Sequence, residues 1–560
     1  MSDSSVSDLP LRVADADELR WDAVADVIVV GFGGAGACAA LEARTAGAEV
    51  LVLDRFGGGG ATARSGGVVY AGDTSLQRSA GIGDSVEQMF RYLQREIRGV
   101  VPDAVLRRYC EQSSGAIDWL VGHGLRYNAE VCTEKTDYPA GGESLYFAGN
   151  EQRSDHAAIA VPAPRGHRPA GRGFTGNRYF AAIADAVRSS GVRVLTHAPV
   201  LRLIQDKSGR VVGIEAWVLP ERVWKRHDRI FEKVGVRPFN AGVARRACLA
   251  AAMLEMEHGE VRRYRALGGV ILAAGGYASS PAMLQRHNPD LAAHTGAMIH
   301  LATLGCDGSG IRLGQSVGGG TGCMQNLQLV RNLTPEPLRY GLLVNSHGRR
   351  FINEDAYNGD VGKAIGAQPG ARAWLVLDRH NLLAALRACV FGSRGSFLHF
   401  SLPSLVAILF GGSRVARTLP GLARKCGWDA EPFTQELRVH NERVQVRQPD
   451  PLGKADDKML PLSSGPFIAV DFSLGNPLGF TFMFTLGGLT VDVGTGAVTD
   501  AGGKAIAGLY AAGRSAVGLC SNGYVSGLSL GDGIFSGRRA GASAAGDRAP
   551  MWSAPSLPSD

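Results

Sequence analysis

The run Gly31-Phe32-Gly33-Gly34-Ala35-Gly36 constrains this chain more than any other feature. It follows a short apolar, β-branched stretch, Asp26 to Val30, and opens a segment of helix formers, Ala35 to Ala46. A second apolar stretch, Glu49 to Leu53, then ends on Asp54. Strand, glycine turn, helix and strand in this order make a βαβ unit and favour a parallel sheet. Gly31 permits the tight turn, Gly33 lets backbone approach a pyrophosphate, and Gly36 lets helix and strand pack closely. The helix start at Gly34 and Ala35 offers free N–H groups and the positive end of a dipole to phosphates. Asp54 is placed to accept hydrogen bonds from an adenosine ribose. GxGxxG alone is a weak signal; with its strand, helix and acidic residue it implies a bound dinucleotide.

Further strands are expected at Val192–Leu195, at Leu203 with Val211–Ala216, and at Val270–Ala273. The expected fold class is α/β: a discontinuous, Rossmann-like domain, 25–297 with 466–545, carrying an inserted α+β cap or catalytic domain at 298–465. Residues 1–24 read as a polar leader, 219–267 as an Arg-rich insertion, and 546–560 as a Pro/Ser-rich tail expected to fray. The 76 glycines gather in short runs such as 57–60, 66–67, 275–276, 318–320 and 487–488, as expected where backbone approaches a ligand.

Composition excludes several classes. The net charge of +7 is mild, and no nucleic-acid module accompanies it. Nine scattered cysteines without a CxxC pair give no disulfide framework and no metal site, and fit free thiols in a reducing cytoplasm. No apolar run reaches the ~18–20 residues that span a bilayer. The longest candidate, Phe397 to Phe410, is broken by His399 and Pro403. Residues 1–25 lack the apolar core of a signal peptide.

The segment Gly59-Gly60-Ala61-Thr62-Ala63-Arg64-Ser65-Gly66-Gly67 lies one short loop beyond Asp54. It resembles the GGxTxxSGG loop of the fumarate reductase/succinate dehydrogenase flavoprotein family. Gly269 to Gly276, Gly305 to Gly310, Gly348 to Glu354, Thr485 to Leu489 and Gly508 to Gly513 are similar to that family's later motifs, in the same order. The resemblance covers residues 25–545 and implies FAD as the dinucleotide. It assigns cofactor contacts to Gly60, Thr62, Ser65, Gly66 and Gly67, and to Arg55, Val200, Ala274, Gly513, Arg514, Ser529 and Leu530. Ala61 to Ser65 contains no His for a covalent link, so noncovalent FAD is expected.

The same comparison narrows the substrate. Fumarate reductases carry HxxNRxGGNS, in which His and Arg hold a dicarboxylate; this chain has Cys520 and Tyr524 in those places. Asp355-Ala356-Tyr357-Asn358 also lacks their Arg proton donor. Without a bidentate guanidinium the main reason for a dicarboxylate to bind is gone. Gly523 to Gly533, Ala511 to Arg514, Asn353 to Tyr357 and Asp471 to Gly475 resemble the signature of 3-ketosteroid Δ4-(5α)-dehydrogenases. That resemblance implies Tyr524 as the base beside the 3-ketone, Tyr357 as its partner and Ser526 as a relay to solvent. A hydride then leaves C5 for the flavin. A free phenol titrates near ~10, so the base needs help, for which Tyr357, Ser526 and Arg514 are candidates.

Other readings stay open at this stage: a Δ1-dehydrogenase, an ene-reductase of a bulky enone, or a flavoprotein subunit without turnover. The electron acceptor is a quinone, a carrier protein or oxygen. Trp224, Phe231 and Phe239 could give the 219–267 insertion a peripheral membrane contact or a dimer contact, or the insertion could be an ordinary helical excursion. The apolar stretch 381–411 could be a substrate lid or plain cap core. Pro164 to Arg168 could reach FAD phosphates or be a solvated loop, and Cys520 reads as a small buried filler.

Overall fold

The computed structural model describes residues 9–133, 136, 138–139, 141–235, 240–391 and 401–547. Phe239, residues 397–400 of the apolar stretch and most of the expected tail lie outside the described residues. In chain order the nucleotide-binding part has β1 (Ala23–Val30), α1 (Gly34–Thr45), β2 (Val50–Leu53), α2 (Gly176–Ser189), β3 (Arg193–Leu195), β4 (Val200–Gln205) and β5 (Val211–Val218). Helices α3 (Glu221–Phe231) and α4 (Ala241–His258) follow, then β6 (Glu260–Leu272). The cap contributes β7 (Leu342–Asn345), β8 (Ala373–Leu377), α5 (Arg379–Phe391), α6 (Leu402–Phe410), β9 (Arg414–Ala416) and β10 (Phe467–Asp471). The chain returns with β11 (Ala505–Ala511) and α7 (Leu528–Gly546).

β1 is central because Val27, Ile28 and Val29 are fully buried, which suits a strand covered on both faces. β2 runs parallel beside it, with β3 parallel beyond. On the other side β1 pairs in parallel with β6. The 13 residues of β6 serve two neighbours along its far edge. Its first half pairs antiparallel with β5, and its last residues, Val270 to Leu272, pair in parallel with β11. Residues from the C-terminal part of the chain thus re-enter the first sheet.

Two expected boundaries move. Residues 260–267 belong to β6, so the insertion proper is α3 and α4. β10 lies between β8 and β9 in an antiparallel cap sheet ordered β7-β8-β10-β9. A division at 465/466 therefore cuts off a central cap strand, and the cap runs past Asp471. The reason is periodicity: Phe-Ile-Ala-Val-Asp is an apolar run that reads equally well for either sheet.

α7 lies directly on α1. A Cβ on Gly537 would sit 2.5 Å from the Ala35 carbonyl oxygen, and one on Gly541 would overlap that of Ala39. Small residues on both helices allow this approach, and Ala37, Ala39, Ala40, Ala540 and Ala544 are fully buried at the contact. Among the described residues, no helix is long and apolar enough to cross a membrane.

Candidate active site

One continuous cleft follows from this packing. Gly31, Gly33, Gly34 and Ala35 line it from the first turn; Asp54, Arg55 and Phe56 line it at the end of β2. Gly60, Thr62 and Ser65 form a second wall, and Arg514, Tyr524, Ser529 and Leu530 its far end. Val200, Ala274 and Gly513 also face it. Gly31, with φ 106°, carries the chain over the end of β6; a Cβ there would lie 2.6 Å from the Ala273 oxygen. Gly36, Gly66 and Gly67 do not line the cleft. A Cβ on Gly36 would overlap the Gly31 oxygen, and one on Gly66 would meet the Tyr138 ring at 2.5 Å. One on Gly67 would meet the Thr175 backbone at 2.9 Å. These three glycines let backbone pack closely behind the wall, so a side chain at any of them would clash with its neighbours.

The donor set fits a dinucleotide pyrophosphate. α1 and α7 both begin at the cleft, on Gly33 and Gly527, and neither has a side-chain cap. The first N–H of each helix is taken, Gly34 by Thr62 Oγ1 and Leu528 by the Val525 carbonyl, so the dipole ends and the N–H groups that follow are what these helices offer an acceptor. A Cβ on Gly33 would meet nothing nearer than 3.8 Å, so the backbone at this point of the cleft wall is not tightly packed. Thr62 Oγ1 accepts from Gly34 N–H at 3.1 Å and leaves its own O–H to donate. Ser65, expected to donate to the cofactor, instead donates to the Thr62 carbonyl at 2.8 Å.

Asp54 and Arg55, both on the cleft wall, are also tied into the protein. The Asp54 carboxylate accepts from Phe32 N–H and Phe56 N–H, both at 2.8 Å, and so braces the glycine turn. Burial pushes its pKa up, against these bonds. Arg55 donates to Glu255 at 2.7 Å and to Asp307 at 2.7 Å, which ties α4 to the nucleotide fold. Burial raises the Glu255 pKa, but Arg55 and then His227 more than offset this and hold it at about 2. Phe56 packs on His227 and Phe231, and Trp224 stacks on His197 with centroids 4.7 Å apart. Trp224 and Phe231 thus pack against the nucleotide fold, and Phe231 lines the cleft. Sequence reasoning missed Phe231, because an aromatic on an amphipathic helix looks like core.

Tyr524 sits on the far wall, its ring edge-on to Phe484 at 5.0 Å. Its hydroxyl meets Ser529 Oγ at 3.4 Å, a weak contact. Burial pushes the phenol up; the Ser529 bond and the Arg514 charge oppose this without overcoming it. Arg514 lies over Phe484 and donates to the Cys306 thiol at 3.7 Å. Ser526 and Tyr357 are not on the cleft wall. Ser526 Oγ bonds the hydroxyl of fully buried Tyr146 at 2.8 Å. A relay through Ser526 would therefore pass by way of a buried phenol. Tyr357 N–H donates to Asn150 Oδ1 at 2.7 Å, and Asn150 Nδ2 donates to Glu96 and Asp360. Tyr146 and Asn150 carry no motif in the sequence; only the fold brings them here.

The Pro164 to Arg168 cluster fits neither expected role. Arg165 is buried against Asp84, His167 meets Thr74 at 2.8 Å, and Arg168 donates to the Pro139 carbonyl. Burial lowers His167 to about 4, so it is a neutral structural group. Cys520 is buried, and burial pushes its thiol up, as a filler requires. Among the described residues, no group of three or more His, Cys, Asp or Glu is placed to hold a metal ion.

A family model described as FAD binding domain matches residues 26–535. The 3-oxo-5-alpha-steroid 4-dehydrogenase of Comamonas testosteroni is 37% identical over 522 residues, covering 90% of this chain and 95% of that protein. A solved structure of 3-ketosteroid-delta4-(5alpha)-dehydrogenase from Rhodococcus jostii RHA1, in complex with 4-androstene-3,17-dione, superposes with TM-score 0.79 at 30% identity. It covers 96% of this chain and 100% of that one. A 3-ketosteroid delta1-dehydrogenase from Sterolibacterium denitrificans, at 19% identity and TM-score 0.61 over 94% of this chain and 100% of that one, shares the fold.

Proposed function

The chain belongs to the FAD binding domain family, and from that premise we propose that it desaturates a saturated 3-ketosteroid to the 3-keto-4-ene. The observation that carries this reading is Tyr524, a neutral phenol on the cleft wall where relatives acting on dicarboxylates place a cation. It is supported by similarity along nearly the full chain to proteins bearing Δ4-dehydrogenase names.

FAD is held without a covalent bond, by the α1 and α7 N-termini and Thr62, and supplies the hydride acceptor when bound. Tyr524 takes the proton from the carbon next to the ketone. Its hydroxyl needs the cation of Arg514 and the Ser529 hydroxyl to favour the charged form. Ser526, hydrogen-bonded to Tyr146, would relay the proton onward, each hydroxyl passing on its own proton as it accepts one, and Tyr357, held through its backbone by Asn150, supports the base. Phe484 and Leu301 make the substrate end apolar, which suits a steroid ring. The acceptor that reoxidises the enzyme is a quinone or a carrier protein. The scattered thiols support a reducing, cytoplasmic setting.

Identifying the product tests the reading. Incubation with a 5α-saturated 3-ketosteroid and an artificial acceptor, followed by mass spectrometry and NMR, should give the 4-ene. A 1-ene as the sole product would replace it with the Δ1 reading. No product from any ring-A-saturated ketosteroid would remove it.

A further inference from the structure

Residues 379–428 contain no Asp or Glu, yet hold Arg379, Arg387, Arg394, Arg414, Arg417, Arg424 and Lys425. These seven cations equal the net charge of the whole chain, +7. The described part of this segment also carries large apolar side chains open to solvent. Phe391 is 83% exposed and Phe410 71%; Val390, Leu409 and Val415 are exposed by about half. Phe391 ends α5 and Phe410 ends α6, and the two helices pack on each other. Leu383, Arg387 and Val390 fall at i, i+4 and i+7, on one face of α5, and all three are exposed. β9 follows at once as an edge strand of the cap sheet, presenting Arg414 and Val415. Lys425 donates to the Val415 carbonyl at 2.7 Å and so joins the same edge.

Isolated exposed apolar residues are normal on a soluble protein. A cluster of them on a segment whose own charges are all positive is not, and marks an interaction surface, although Glu336 packs near α5 and Asp471 lies beside Arg414 and Lys425. α4 provides the contrast: Met253 and Met256 are exposed there, but beside Glu257 and Glu260. We propose that the face made by the ends of α5 and α6 with β9 docks this protein on an anionic lipid surface. The Phe and Val side chains would enter the acyl boundary while Arg387, Arg414, Arg417 and Lys425 meet phosphate headgroups. The charge argues for lipid over a second copy of the chain, since two such faces would repel. The inference does not depend on which ketone the cleft takes.

Sedimentation of the full-length holoprotein with vesicles tests it. One set is phosphatidylcholine alone, the other phosphatidylcholine mixed with phosphatidylglycerol. The wild type should pellet with the mixed vesicles and be released by salt. Phe391→Ser with Phe410→Ser should lower partitioning at least tenfold. Arg414→Gln with Arg417→Gln should abolish the preference for the anionic lipid. Met253→Ser with Met256→Ser should change nothing. All these side chains are exposed, so flavin fluorescence and the melting midpoint should stay at wild-type values. The proposal is overturned if the wild type binds neither vesicle, or binds both equally. It is also overturned if light scattering shows a dimer that the Phe391/Phe410 variant dissolves while vesicle binding is absent.

Discussion

The two ends of the cleft are built differently. The nucleotide end is backbone and buried charge: a glycine turn braced by Asp54, and Arg55 clamped between Glu255 and Asp307. The ketone end is hydroxyl groups on separate elements: Tyr524 and Ser529 meet at 3.4 Å, while Ser526 and Tyr146 meet at 2.8 Å. The first end can hold a cofactor before substrate arrives. At the second, the long Tyr524–Ser529 contact is one that substrate can replace, and burial holds the phenol up against the Arg514 charge. A rigid cofactor seat therefore adjoins an adjustable reaction site.

The contrast breaks most sharply at its two defining residues. Tyr524→Phe should lower kcat by roughly 10²–10⁴-fold, the usual worth of a general base, while the flavin spectrum and melting midpoint hold. Gly36→Val should do the reverse: its side chain would overlap the Gly31 oxygen. Overpacking of this kind costs about 1–3 kcal/mol or more, and the purified protein should lose its flavin absorbance. Equal loss of flavin in both variants would erase the distinction between the ends.

Smaller effects sharpen it. Tyr146→Phe removes the partner of Ser526, a bond worth about 1 kcal/mol, so kcat should fall by about fivefold with KM unchanged. Because Tyr524 is raised above an ordinary phenol and must be deprotonated to act, kcat/KM should climb with pH across the alkaline range. Arg514→Met should push that limb further up, as read from pH–rate profiles. Glu255 behaves oppositely, since its folded pKa is about 2 against an ordinary 4.5. The stability it lends is present above about pH 4.5 and is lost as pH falls toward 2. Acid melting curves of Glu255→Gln should lack that part of the slope.

The same contrast explains what was legible in the sequence. The nucleotide end is written in local spacing: 31–36, then Asp54, then 59–67, all within a few turns of chain. Its strands and helices were readable for that reason, to within a few residues. What spacing could not give was the aim of each side chain. Asp54 on the cleft wall also braces the backbone of Phe32 and Phe56, Ser65 bonds Thr62, and Gly66 and Gly67 pack against Tyr138 and Thr175. At the ketone end the partners are remote in sequence. Ser526 meets Tyr146 from 380 residues away and Tyr357 meets Asn150 from 207. No periodicity records such pairs, and neither Tyr146 nor Asn150 stands in a motif. The misplaced cap boundary has the same origin, for a short apolar strand fits two sheets until its partners are known.

The central claim is that Tyr524 starts the removal of hydrogen from a saturated 3-ketosteroid by the bound flavin. Anaerobic mixing of the yellow holoprotein with such a steroid, followed by the flavin absorption band, tests this most directly. The wild type should bleach rapidly and Tyr524→Phe at least a hundredfold more slowly, both with full flavin content. Bleaching at the same rate in both proteins would contradict the claim.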